Sequence, residues 1–143
     1  MGKWHFWYGL LGLAGFSDTL YLTFSHYRQH TLGCSILDGC DEVLTSEYSE
    51  IAGIPLALFG AAYYLMLVTG TIASYQTGAK RWFSAIFLIN STGFIVSLVL
   101  VYVQWAVILA FCQYCVLSAA ITSVMLVILL FALRNNRQEQ LTG

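Results

Sequence analysis

Four cysteines are the residues of this chain whose type and spacing point to chemistry. "CQYC" holds Cys112 and Cys115, and "CSILDGC" holds Cys34 and Cys40. A thiolate attacks a disulfide, so two cysteine pairs suit a relay of thiol–disulfide exchange. A lone CxxC equally suits inert packing thiols in a helix. Two pairs also suit two stabilising bridges, and four thiolates suit a zinc site. Zinc fits less well, because the gap from Cys34 to Cys40 is wide and one ligand pair would be helical and partly lipid-facing. Which reading holds depends on where the rest of the chain puts the sulfurs.

Composition makes the chain an integral membrane protein, with 59% hydrophobic residues, 9% charged residues and one proline. The stretch from Trp82 to Leu133 carries no charge. As one helix it would run roughly 78 Å, about twice a bilayer, so it must fold back as two spans. The expected fold is all-α: one domain over 1–143, a transmembrane four-helix bundle with helices at about 4–25, 54–75, 82–104 and 111–133. A long outer loop at about 26–53 joins the first two, with a short interfacial helix between Val43 and Glu50. Lys3, Lys80, Arg81, Arg134 and Arg137 fall on one side of these spans and only Arg28 on the other, which puts both termini in the cytoplasm. All four cysteines are then outside, where disulfides form. The N-terminal apolar run lacks a small-residue cleavage site and has the length of a span, so it is read as the first helix. A net charge of -1 gives no hint of nucleic acid.

Cys112 and Cys115 open the fourth span, where unpaired backbone N–H groups and the positive end of the helix dipole favour thiolate. Cys112 is expected on the aqueous side. Cys115, one turn further in, is expected toward the bundle interior, where it can meet a lipid-soluble oxidant such as a quinone. Asp18, the one ionisable residue well inside a span, is a candidate proton donor to that quinone. Phe59, Phe111 and Tyr114 are candidate pocket walls, and Asn90 a packing hydrogen bond. Trp4, Trp7 and Trp82 suit anchors at the inner interface and Trp105 at the outer. His26 and His30 are four apart and read as a solvated loop pair, so no metal is expected.

The loop "CSILDGCDEVLTS", the helix opening "GIPLALFGAAYY" and "CQYC" together resemble the vitamin K epoxide reductase (VKOR) family, including its bacterial quinone-linked disulfide-forming members. The resemblance spans nearly the whole chain. It implies a quinone-dependent thiol–disulfide oxidoreductase that supports disulfide bond formation. Cys34 would accept electrons from a soluble thioredoxin-fold (DsbA-like) partner in trans, Cys40 would pass them to Cys112, and Cys115 would face the quinone, whether ubiquinone, menaquinone or phylloquinone. Ser46 matches a loop hydroxyl of the family. The Asn and Tyr of the animal enzymes are Leu56 and Ala119 here, which favours disulfide formation over reduction of vitamin K epoxide or quinone as the physiological role. The implied location is the inner (plasma) membrane, multi-pass, with the active cysteines on the periplasmic side, or the endoplasmic reticulum membrane in a eukaryote. A non-enzymatic membrane protein with structural disulfides is the reading from another class.

Overall fold

The computed structural model describes residues 3–28 and 39–142, so Cys34 and His30 lie outside the described residues. In chain order the elements are α1 (Lys3–Arg28), α2 (Cys40–Thr45), a 3-10 turn (Glu47–Ser49), β1 (Glu50–Ile51), β2 (Ile54–Pro55), α3 (Leu56–Thr77), α4 (Lys80–Val103), a π turn (Gln104–Ile108) and α5 (Gln113–Thr142). The protein is all-α apart from the small antiparallel hairpin, in which Glu50 pairs with Pro55 and Ile51 with Ile54. Ala52 and Gly53 form its two-residue loop with φ of 55° and 77°, the left-handed pair that matches the twist of a tight hairpin.

Three helical segments among the described residues, Leu56–Thr77, Lys80–Ile108 and Gln113–Gln138, are long and apolar enough to cross a membrane. Leu88, Ile95, Leu98 and Val99 on α4 and Phe131 on α5 are exposed. In water so much apolar surface would drive association, whereas lipid chains solvate it. The four long helices form a ring, α1 and α4 each packing on both α3 and α5. Pro55 stands at the N-cap of α3, and Gly78, with φ of 61°, ends that helix by donating its N–H to Ser74 O.

The bundle is tied internally by hydrogen bonds, because hydrophobic burial adds little between helices surrounded by lipid. Tyr64 Oη donates to Ser118 O at 3.0 Å and lies 2.9 and 3.0 Å from Ser118 Oγ and Thr122 Oγ1, joining α3 to α5. Tyr63 Oη donates to Asn90 Oδ1 at 2.7 Å, joining α3 to α4. Around them Tyr8, Leu67, Ile86, Met125 and Leu129 form the buried apolar cluster. Gly15 of α1 lies flat against the Tyr64 ring, leaving no room for a Cβ.

The structure departs from the sequence reading at element ends. α5 runs to Thr142 instead of 133, because apolarity marks where the membrane ends, while Arg, Gln and Glu continue a helix into water. The expected helix between Val43 and Glu50 is two pieces broken at Ser46, whose ψ of 155° is extended. Its hydroxyl donates to Val43 O at 2.7 Å instead. Trp4 packs edge-on against Phe83 with ring centroids 5.6 Å apart, so it belongs to the bundle interior more than to an interfacial belt.

Because the Tyr64 hydroxyl is fixed by α5, its ring cannot retreat from a methyl group at Gly15. Gly15→Ala should destabilise the protein by about 1–3 kcal/mol, read as a lower unfolding midpoint in detergent. Gly9→Ala, where nothing lies within 4 Å of a new Cβ, should not; equal midpoints for the two variants would refute the seat.

Candidate functional site

The CxxC segment is positioned by the way α4 ends. Its last turn widens into the π turn, and Leu109 follows with φ of 57°, a left-handed conformation uncommon for a branched side chain. The chain thereby reverses outside any helix over residues 109–112. Gln104 holds this segment twice. Its main-chain oxygen accepts Ala110 N–H at 3.2 Å, and its side-chain Oε1 accepts Cys112 N–H at 3.0 Å. Cys112 O then accepts Val116 N–H at 3.0 Å, the first helical bond of α5. Its sulfur therefore sits at the helix start. There the unpaired N–H groups of the first turn of α5 favour thiolate.

Above this segment lies the loop after the undescribed stretch. Gly39 approaches the backbone so closely that a Cβ there would sit 2.7 Å from Phe111 N and 2.9 Å from both Phe111 O and Ala110 Cβ. Its φ of −94° is open to any residue, so space alone demands glycine. Cys40 follows at once, and with Cys112, Leu22, Val43 and Ala110 it forms one buried cluster against which Cys115 packs. Cys40 is disulfide-bonded, whereas Cys112 and Cys115 are free thiols. Cys112 was expected to face water; it is 0% exposed, because α2 and the 110–112 segment close over it.

Cys115 opens on the other side into a cavity of about 130 Å³ between the helices and beneath α2. Its walls are mostly apolar, with Leu22, Val43, Leu56, Leu100, Val103 and Ile108, and polar groups come from Ser46, Ser97, Gln104 and Ser118. An apolar chamber with a few placed polar groups beside a thiol fits a quinone ring. Of the expected wall residues, none of Phe59, Phe111 and Tyr114 lines it. Phe59 borders a separate cleft between α3 and α4, Phe111 is partly exposed, and Tyr114 packs beside the cysteine cluster and pairs with Tyr21 at 5.3 Å. Asp18 is half-buried outside the cavity, one carboxylate oxygen buried without a hydrogen bond among the described residues. His26 Nε2 lies 2.7 Å from Glu50 Oε1, joining α1 to the hairpin.

Gln104 is the residue that the sequence reading passed over. It is 3% exposed. The available signal was an amide side chain at the end of an apolar run, just before the CxxC pair, where desolvation demands a partner.

The model of the vitamin K epoxide reductase family matches residues 6–130. The chain belongs to this family, and membership implies a membrane thiol oxidoreductase with quinone-linked redox chemistry.

The Gly39 contact generates a direct test. Gly39→Ala should lift Cys40 and α2 from the 110–112 segment and raise the maleimide labelling rate of Cys112 by roughly tenfold, equivalent to an overpacking penalty of about 1.4 kcal/mol. Unchanged labelling would mean that the loop does not cover Cys112.

Proposed function

We propose that this member of the vitamin K epoxide reductase family oxidises a soluble thioredoxin-fold (DsbA-like) partner in trans and passes the electrons through its two cysteine pairs to a membrane quinone, supporting disulfide formation in other proteins. The observation that carries this reading is the burial of disulfide-bonded Cys40 and free Cys112 in one cluster, with Cys115 opening from it into the apolar cavity.

In this reading a partner thiolate attacks Cys34 of a Cys34–Cys40 disulfide, forming a mixed disulfide and releasing Cys40 as thiolate. The partner's second thiol displaces Cys34 and leaves as a disulfide. Cys40 then attacks Cys112 of an oxidised Cys112–Cys115 pair and frees Cys115. Cys34 closes back on Cys40, leaving Cys112 and Cys115 as two thiols. The arrangement in the structure, Cys40 oxidised and the CxxC pair reduced, corresponds to this point of the cycle. A bound quinone accepts two electrons and two protons. Cys112 and Cys115 give up that pair of electrons in reforming their disulfide, and their two protons complete the balance. We assign Asp18, whose carboxylate has one oxygen buried without a hydrogen bond among the described residues, to relaying those protons.

The same reading makes α1 the fourth span and sets both termini in the cytoplasm, with the cysteines on the outer or periplasmic side of the inner membrane. Support comes from the basic residues Lys3, Lys80, Arg81, Arg134 and Arg137 at the opposite end of the helices from Cys40 and Cys112.

Purified protein supplied with reduced partner and 2-methyl-1,4-naphthoquinone should consume one quinone per partner disulfide formed. Activity that survives replacement of all four cysteines would assign them a structural role only. In Cys40→Ser, the free Cys34 thiolate should attack the disulfide of the oxidised partner and hold it as a mixed disulfide, because Cys40 is no longer there to displace it. Peptide mapping that places the adduct on Cys112 or Cys115 would reverse the proposed order.

A further inference from the structure

Gln104 has hydrogen-bonding capacity that the fold does not use. Its Oε1 faces Cys112 N–H, and since that N–H can only donate, the amide orientation is fixed with oxygen toward Cys112 and Nε2 turned away. Nε2 has no hydrogen-bond partner among the described residues, although the residue is 3% exposed and lines the cavity that Cys115 also lines. The residue borders the cavity, so its amide N–H groups are open to an acceptor held there.

The other polar side chains of that cavity are largely committed. Thr19 Oγ1 donates to Gly15 O, Ser46 Oγ to Val43 O and Ser49 Oγ to Ser46 O, while Ser118 Oγ is engaged with Tyr64 Oη. Ser97 lies two turns back along α4, roughly 10 Å from the level of Gln104. Leu56, on the facing helix, is apolar and offers nothing. His26 and Tyr48 also line the cavity, but His26 is tied to Glu50 and Tyr48 is 55% exposed, so among the described residues Gln104 is the buried lining residue with an uncommitted amide donor.

We propose that Gln104 is the specificity-determining donor that holds a carbonyl oxygen of the quinone beside Cys115. The inference rests on the quinone-linked reading above. A neutral amide donor selects a ligand with a carbonyl acceptor over a hydrocarbon of the same shape, and it strengthens as charge builds on that oxygen during reduction. The same side chain fixes Cys112 through its other atom, so one residue sets the carbonyl and the thiol pair in register.

The test measures ligand binding without turnover, by tryptophan fluorescence quenching in a Cys112→Ser, Cys115→Ser background. The probes are 2-methyl-1,4-naphthoquinone and 2-methylnaphthalene, which has the same ring system without carbonyls. Gln104→Glu keeps an oxygen for Cys112 N–H and removes the donors; Gln104→Leu removes both. Both substitutions should weaken quinone binding by roughly tenfold, the size of one neutral hydrogen bond, and leave hydrocarbon binding within about twofold. Equal weakening for both probes would mean a collapsed cavity and overturn the donor role. Quinone binding by Gln104→Glu at the unsubstituted affinity would overturn it while sparing the quinone reading. Absence of saturable quinone binding by the unsubstituted cavity would overturn both.

Discussion

The site depends on a contact between two stretches of backbone. Gly39 meets Phe111 with no side chain between them, and the residue after each is a cysteine, Cys40 and Cys112. Disulfide exchange needs Cα atoms within about 7 Å, a spacing that backbone-on-backbone packing favours and side-chain-on-side-chain packing generally exceeds. For the contact to exist, residues 110–112 must present bare main chain instead of a helix surface. α4 must therefore end early and α5 start late. The π turn and the left-handed Leu109 meet that demand, and Gln104 takes the N–H groups of Ala110 and Cys112 that this break leaves without helical partners.

The membrane explains why these thiols are buried. A solvent-facing thiolate at a bilayer surface is open to any oxidant, whereas Cys112, with 0% exposure, lies in one buried cluster with Cys40, and Cys115 packs against it. Removing water would ordinarily penalise a thiolate. The unpaired N–H groups and positive dipole end of the first turn of α5 favour thiolate there without solvent. Below the site, Tyr64 with Ser118 and Thr122, and Tyr63 with Asn90, fix α3 against α5 and α4. That rigidity keeps the cavity floor in place while α2 forms its roof. The lipid-facing cleft between α3 and α4 shares Leu56, Gly60, Ser97, Leu100 and Ser118 with the cavity walls, so the two spaces adjoin through a thin layer of side chains.

Much was legible in the sequence because the membrane imposes simple rules. Uncharged length gave the apolar segments, "CQYC" at the head of the last one gave a candidate thiol pair, and the three motifs together gave the family that residues 6–130 match. These readings rest on composition and short-range spacing, which are local properties of the chain. Lipid tolerates few exceptions to them. The aromatic wall is different: proximity along the chain to the cysteines suggested Phe111 and Tyr114, yet neither lines the cavity, and Tyr114 packs against the cysteine cluster instead.

By itself the sequence determined that the chain lies in a membrane, that its helices are mostly long and apolar, and that two cysteine pairs are its candidate reactive groups. Tertiary structure alone decided that Cys112 is covered instead of wet, that Gly39 must be glycine for want of space, and that Gln104 belongs to the site. Each of these is a relation between residues distant along the chain: residue 39 against 111, and an amide on one helix against the first turn of the next. Hydropathy and spacing describe how a segment meets its solvent. They carry no record of which backbone another backbone touches, and that contact is what brings Cys40 and Cys112 into one cluster.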